Sequence, residues 1–327
     1  MAGKSIKNDI LIDMIRSFSV LYIVGYWHLL DYTAFYVSKD PYITRLTVII
    51  LGLFMLISGY LIGMRRTFQT VSDVVQFYKS RFLRIYPPYA LACLLFWFTG
   101  LGTQISVFKS IALISVFSFS SLRTLWFIAV LVVFYAITPL MVVIRRHQFV
   151  YILFCLSIVF VGLLGDFVFF TFDPRFFLYF LPFFAGIYIA GHQELLYNRY
   201  FIATNYLLLV VSWFFSFQGL ELLEFSAFAT PLILFGSLVF FLTTINLRLF
   251  LEKYLVQQYI NWFIRTISFA GFFMYLSHRL IFLALTNAFG PKPEIAQVLY
   301  MLCFCLPVVI ILSWWGQFAY NKMIGQN

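Results

Sequence analysis

The sequence predicts an all-α integral membrane protein with about ten transmembrane helices and both termini in the cytoplasm. Of the 327 residues, 63% are hydrophobic and only 10% are charged, a composition that excludes a soluble domain of this size. Apolar runs of about 20 residues, the length that crosses a bilayer, recur along the whole chain. These runs lack the alternation of barrel strands, so each is predicted to be a helix.

The spans are predicted at roughly 10–30, 43–63, 83–101, 125–144, 150–171, 175–191, 201–217, 226–245, 266–289 and 296–316. No polar stretch between them is long enough for a separate soluble domain, so residues 1–327 are expected to form a single transmembrane domain. Arg16 interrupts the first apolar run and no cleavage pattern precedes it, so this span is expected to be retained rather than removed as a signal peptide.

The positive charges indicate the orientation. With the N-terminus inside, fourteen of the 22 lysine and arginine residues fall on the cytoplasmic side and six on the outer side. This bias follows the positive-inside rule and also accounts for the net charge of +10. The basic residues do not cluster outside the loops, so no nucleic-acid partner is expected.

Three segments depart from the spanning pattern. Residues 64–82 form a basic, partly amphipathic cytoplasmic stretch, and residues 246–265 are predicted to be an amphipathic helix on the inner surface. Residues 102–124 are short and rich in serine, which favours an interfacial or re-entrant piece on the outer side. The four cysteines lie in apolar runs without metal-ligand spacing, so they are interpreted as packing residues and no metal site is expected.

Ionisable residues inside the spans are the main candidates for chemistry, because inserting one costs about 2.5 kcal/mol or more. Arg16 and His28 lie in the first span, and His278 with Arg279 lies in the ninth. Asp13 shares a helix face with Arg16 and can neutralise it. His28 is about 18 Å further along the helix axis, nearer the outer side, where Asp31 at i+3 is predicted to orient its ring.

The densest basic set is Arg65, Arg66, Lys79, Arg81 and Arg84. Such groups bind phosphates, and contact with lipid headgroups is the alternative interpretation. The prolines at 87 and 88 are predicted at a helix start, where a missing N–H costs little. They would then fix the angle at which Arg81 and Arg84 meet the inner surface.

Several of these pieces, taken in order, resemble the integral-membrane acyltransferase family 3. IDMIRSFSVLYIVGYWH resembles the family's first-span Arg…His signature, FMLISGYLIG its second span, and RFLRIYPPY its R-x-x-R-aromatic-Y-P stretch. LWFIAVLVVFY, FLPFFAGIYIA and MYLSH resemble the fourth span and two later elements. The ordered set covers nearly the whole chain, without the fused extra-cytoplasmic hydrolase-like domain that some members carry.

The resemblance implies acyl transfer, commonly of acetyl, from cytoplasmic acyl-CoA to a hydroxyl of a surface polysaccharide, lipopolysaccharide or lipid-linked glycan. It implies a multi-pass protein of the bacterial inner membrane. The basic set, above all Arg81 and Arg84, would hold the coenzyme's phosphates, and Arg16 its pantetheine end or thioester. His28 would be a general base or transient acyl carrier, with Asp31 and His278 as further catalytic residues. Residues that would line a tunnel or polarise the carbonyl, with packing as the alternative, are Ser58, Tyr60, Trp126, Tyr135 and Tyr275.

The chain departs from the family pattern between Arg16 and His28, where it has eleven intervening residues instead of the usual ten. One residue turns an α-helix by about 100°, so a π-bulge near Gly25 is predicted to absorb the extra residue. Gly271 and Phe272 also replace the usual Ser-Tyr ahead of the late histidine.

Two other classes of function fit the polar residues. One is a secondary transporter that uses Arg16, His28 and His278 as a polar relay. The other is a structural membrane subunit in which these residues mediate assembly.

Overall fold

A computed structural model describes residues 9–34, 40–118, 122–169, 173–217, 229–255 and 257–325, and over these residues the chain is helical without a strand. The predicted all-α class is therefore confirmed. Among these described residues, six helices are long and apolar enough to cross a membrane, and three shorter apolar helices accompany them. Parts of the predicted fifth and eighth spans and of the re-entrant piece lie outside the described residues.

The six long apolar helices are α1 (Ile10–Leu30), α2 (Pro41–Arg65), α5 (Trp126–Ile144), α9 (Ala229–Asn246), α11 (Gln258–Phe289) and α12 (Glu294–Met323). The others are α3 (Val71–Phe98), α4 (Gln104–Ile111), α6 (Gln148–Phe169), α7 (Arg175–Gly191), α8 (Arg199–Phe215) and α10 (Arg248–Leu255). The predicted third span forms the second half of α3. Each of the ten predicted spans overlaps a helix.

The helices group into two compact units. The first contains residues 1–47 and 243–327, and the second contains residues 48–242. The first unit therefore holds α1, α10, α11 and α12, and the second holds α3 to α8 with most of α2 and α9.

In the first unit α1 and α11 run parallel. The Ser17 hydroxyl donates to the carbonyl of Ile264 at 2.8 Å, and the bare Cα of Gly271 lets Val20 pack against it. Helix α12 runs antiparallel to α11, since Ser277 and Ser313 are hydrogen-bonded at 3.1 Å while the Tyr300 hydroxyl donates to Leu285. Such small residues and interhelical hydrogen bonds are what hold helices together where lipid removes the hydrophobic driving force.

In the second unit α2 and α7 cross with their backbones in contact. A Cβ on Gly59 would overlap the carbonyl of Phe183, and a Cβ on Gly186 would overlap that of Leu56. Gly59 and Gly63 form the small-xxx-small pattern that permits this approach. Near the ends of both helices, Arg145 donates to the carbonyl of Gly63 at 2.8 Å and to that of Ile187 at 3.5 Å.

Two local predictions are wrong. Pro87 and Pro88 lie inside α3 rather than at a helix start, because Thr70 and Asp73 begin the helix well before them with a reciprocal capping box. The membrane-surface segment 246–265 is not one helix: it divides into α10 and the first turns of α11. The residues between 102 and 118 form only α4 and a short 3-10 turn, Ile114–Phe117, consistent with a segment that does not span.

Candidate functional site

His28 and His278 meet between α1 and α11. The Nδ1 of His28 lies 3.0 Å from the Nε2 of His278, and their rings are nearly parallel, at 12°. The two residues are far apart in the sequence, and each was predicted to have a separate role. The structure brings them together as one hydrogen-bonded pair.

The main chain determines how protons are arranged in this pair. The Nδ1 of His278 faces the carbonyl of Tyr275 at 2.9 Å and that of Met274 at 3.1 Å. Carbonyls only accept, so Nδ1 of His278 carries the proton and its Nε2 is an acceptor when the ring is neutral. His28 then donates from Nδ1, which leaves the lone pair on Nε2 of His28.

The two histidine residues differ in solvent exposure. His278 is completely buried, whereas His28 retains 8% of its surface. Within the described part of the chain no residue is hydrogen-bonded to Nε2 of His28. The atom that bears the lone pair is therefore the one left for a substrate.

A π-bulge sets the direction of His28, and the prediction of a bulge near Gly25 is confirmed. The π segment runs from Ile23 to Trp27 with Gly25 at its centre. A Cβ on Gly25 would lie 3.0 Å from a methyl of Leu306, next to a second π segment, Met301–Cys305. The bulge takes up one residue, so His28 turns back by about 100° toward the face of α1 that contacts α11.

Asp31 and Arg279 form an ion pair beside the two histidines. The Arg279 Nη2 lies 3.1 Å from the Asp31 carboxylate, and the Tyr32 hydroxyl donates to the main-chain carbonyl of Arg279. Asp31 was predicted to orient the ring of His28; in the structure the Nδ1 of His28 is hydrogen-bonded to His278, and Asp31 is paired with Arg279. A catalytic role for Asp31 stays a prediction.

Arg16 belongs to a second polar cluster in the same unit. Its Nη1 lies 3.7 Å from the Asp13 carboxylate, which also accepts a 2.7 Å hydrogen bond from Ser268 of α11. The side chains of Arg16 and Asp13 remain 29% and 23% exposed, so the pair is accessible despite its place within a spanning helix. The predicted self-neutralising pair is present, and Ser268 ties it to α11.

The predicted phosphate-binding residues lie in the second unit, at the end of α2 and along the first half of α3. Arg81 is half-buried, its guanidinium 5.3 Å from the ring centre of Tyr135 and 5.7 Å from that of Phe77. The Nε of Arg81 is buried with no partner among the described residues. Hydrogen bonds from the main chains of Thr70 and Gln69 hold the pKa of Asp73 below its usual value at the start of the same helix. The other members of the set are exposed or partly exposed: Arg65, Arg66, Lys79 and Arg84.

The residues predicted to line a tunnel are divided between the two units, and each has its own neighbours. Tyr275 is near the histidine pair, with its ring centre 5.9 Å from that of His278. Tyr135 packs on Arg81, and the guanidinium of Arg175 covers Trp126 at 4.5 Å. Ser58 donates to its own helix at Phe54, and Tyr60 packs edge-on against Phe241.

Three contributors were missed. Arg279 was noted without its ion-pair partner, and neither Ser268 nor Leu306 was singled out. Their signal is weak, because one serine and one leucine in apolar helices are ordinary packing residues until the helix pairing is known. Among the described residues no group of histidine, cysteine and acidic residues could hold a metal ion.

Comparison with known proteins addresses the family directly. The family model described as an acyltransferase domain matches residues 9–315. No curated protein and no solved structure matches the chain. The match includes both histidines, both polar clusters and the whole basic set. The chain therefore belongs to the integral-membrane acyltransferase family 3 and is a membrane acyltransferase.

Proposed function

We propose that the protein is an O-acyltransferase that moves an acyl group, most commonly acetyl, from acyl-CoA to a hydroxyl of a cell-surface polysaccharide, lipopolysaccharide or lipid-linked glycan. The observation that supports this most strongly is the hydrogen bond between His28 and His278. It leaves the more exposed ring with a lone pair and a fixed orientation, as a general base for an alcohol requires.

The proposed reaction is a direct transfer. Nε2 of His28 accepts the proton of the acceptor hydroxyl while its oxygen attacks the thioester carbon. The carbon–sulfur bond then breaks, and the proton passes from Nε2 to the departing coenzyme A sulfur. During the step His28 is a cation, and its Nδ1–H bond to His278 strengthens because a charged donor makes a stronger hydrogen bond.

Arg16 is proposed to hold the coenzyme's arm rather than the reacting carbonyl. It precedes His28 by a helical rise of about 18 Å, which is too far to contact a thioester at Nε2. Its side chain is 29% exposed, so amide or carbonyl oxygens of pantetheine can approach the guanidinium. Arg81, Arg84, Arg65, Arg66 and Lys79 are proposed to bind the phosphates, where arginine forks match phosphate oxygens.

We further propose ten spans in the bacterial inner membrane, with both termini in the cytoplasm. The direction of the helices within each unit supports this topology. The first and ninth predicted spans run parallel in the first unit, and the second and sixth run parallel in the second. Arg145, at the end of the fourth predicted span, bonds to the ends of the second and sixth, as expected if all three end on the cytoplasmic side.

The experiment uses the full chain in proteoliposomes, with acetyl-CoA labelled in the acetyl group. Label appearing in an acceptor glycan supports the proposal, and mass spectrometry of surface glycans from cells with and without the gene identifies the acceptor. Protein that moves a solute but never consumes the thioester would favour the transporter instead. Label that remains on His28 after denaturation would replace the base mechanism with a transient acyl carrier.

A further inference from the structure

We propose that Asp31 and Arg279 form the recognition site for an uncharged sugar residue of the acceptor. This inference rests on the proposed transfer to a glycan and adds the charge class of the sugar. The site consists of the ion pair beside the histidines, with the Tyr32 ring as its neighbour.

Both members of the ion pair are close in sequence to the two histidines. Asp31 follows His28 by three residues, or about 4.5 Å of helical rise, and Arg279 follows His278 directly. The ion pair therefore lies within about one turn of the histidines on the same two helices. A sugar whose hydroxyl reaches Nε2 of His28 would bring its other hydroxyls toward this pair.

Arg279 has hydrogen-bonding capacity beyond its contact with Asp31. The guanidinium of Arg279 has five N–H donors, and its hydrogen bond to Asp31 uses one of them, at Nη2. Its Nε is buried with no partner in the described part of the chain, which is costly for a charged donor. The side chains of Arg279 and Asp31 remain 13% and 20% exposed, so a ligand can reach both of them.

The charge of the pair selects the class of ligand. Asp31 neutralises Arg279, so an anionic sugar gains little from the guanidinium and meets the carboxylate at close range. A neutral sugar avoids that repulsion, because its hydroxyls can donate to Asp31 and accept from Arg279. The half-buried Tyr32 ring, 5.5 Å from that of Phe282, adds an apolar surface for the sugar's C–H groups.

The test compares matched sugars. Full-length protein in proteoliposomes receives acetyl-CoA together with members of a panel of neutral methyl glycosides or the corresponding uronic acids, which differ by one charge. We expect the wild type to acetylate the neutral glycoside with a kcat/KM about tenfold or more above that of its uronic acid. Asp31→Asn should bring this ratio close to one and raise the KM for the neutral sugar.

Two results overturn the inference. One is an unchanged sugar preference in Asp31→Asn. The other is a wild type that consumes acetyl-CoA yet acetylates no neutral glycoside of the panel. A wild type that never consumes acetyl-CoA contradicts the proposed function itself, so the two failures are distinguishable.

Two variants separate recognition from a purely structural link. If the pair is only a structural link, reversing it with Asp31→Arg and Arg279→Asp together should restore the wild-type sugar preference and KM. That result would contradict recognition. We expect the reversed pair to leave the KM for the neutral sugar raised. Glu252→Gln removes an ion pair of the same unit, with Arg248, and should leave both the ratio and this KM unchanged.

Discussion

The Nδ1 of His28 lies 3.0 Å from the Nε2 of His278, whose own Nδ1 is within 3.1 Å of two main-chain carbonyls. The sequence of donors and acceptors therefore begins at the backbone of α11 and ends at Nε2 of His28. An aspartate performs the corresponding task in many hydrolases, where it holds a histidine in one tautomer. Here the neutral ring of His278 holds His28 in one tautomer, so no carboxylate is needed at the Nδ1 of His28.

Replacing His278 tests this orienting role. His278→Ala removes the acceptor for Nδ1 of His28, so we expect kcat to fall by about 100-fold or more with little change in the KM for acyl-CoA. His278→Gln keeps an amide oxygen near the position of Nε2 and should retain most of the activity. The measurement is the initial rate of acetyl transfer. Equal losses of rate in the two variants would show that activity does not depend on the hydrogen bond between His28 and His278.

The π-bulge makes a prediction about chain length. Deleting Gly25 should convert the segment Ile23–Trp27 to regular helix while keeping His28 on the face that contacts α11. We therefore expect the rate of acetyl transfer in the deletion variant to stay within about tenfold of the wild type, because His28 keeps nearly the same direction on α1. Inserting one alanine after Gly25 should turn His28 away by about 100° and abolish transfer. Loss in the deletion together with activity in the insertion would contradict this role of the bulge.

Removing Arg81 and Arg84 tests the phosphate role. The double variant Arg81→Ala with Arg84→Ala should weaken the binding of acyl-CoA by about tenfold or more, since two charge-assisted contacts are lost. The matched control is Arg146→Ala with Arg199→Ala, which removes the same charge from the predicted cytoplasmic side. Binding of a radiolabelled acyl-CoA to purified protein is the measurement. Equal affinities in the two double variants would exclude a specific phosphate site at Arg81 and Arg84.

The crossing of α2 and α7 predicts a strict size limit. A leucine at Gly186 would overlap the carbonyl of Leu56, so Gly186→Leu must separate the helices and should cost about 3 kcal/mol or more of stability. Ala203→Leu places the same side chain at an exposed position of α8 and should be neutral. Thermal unfolding in detergent compares them. A melting temperature for Gly186→Leu equal to that of the control would show that the two backbones are not in contact.

Much of the fold could be predicted from the sequence because the bilayer imposes simple rules. A span needs about 20 apolar residues and every backbone group must be satisfied within it, so helices could be placed by length and hydropathy. The start of α3 was missed because two prolines usually mark the first turn of a helix. The capping box at Thr70 and Asp73 begins the helix earlier, and the prolines lie in its interior instead.

The candidate site was predictable in its members but not in their pairing. His28 and His278 stood out because ionisable residues in a span are expensive. Their contact depends on the pairing of α1 with α11, which joins residues 250 positions apart and leaves no local pattern. The π-bulge was predictable only through the family's spacing, because Gly25 alone does not indicate one. Asp31 and Arg279 are also far apart in the sequence, so their ion pair could not be predicted either.

The most direct test of the central claim is acetyl transfer by the His28→Ala variant in proteoliposomes, with labelled acetyl-CoA and the glycan acceptor identified by mass spectrometry. The variant should be expressed and inserted like the wild type and should still bind acyl-CoA, because His28 contacts neither the basic set nor Arg16 in the proposed mechanism. Transfer should fall to background. Transfer at the wild-type rate would remove His28, and with it the histidine pair, from the reaction.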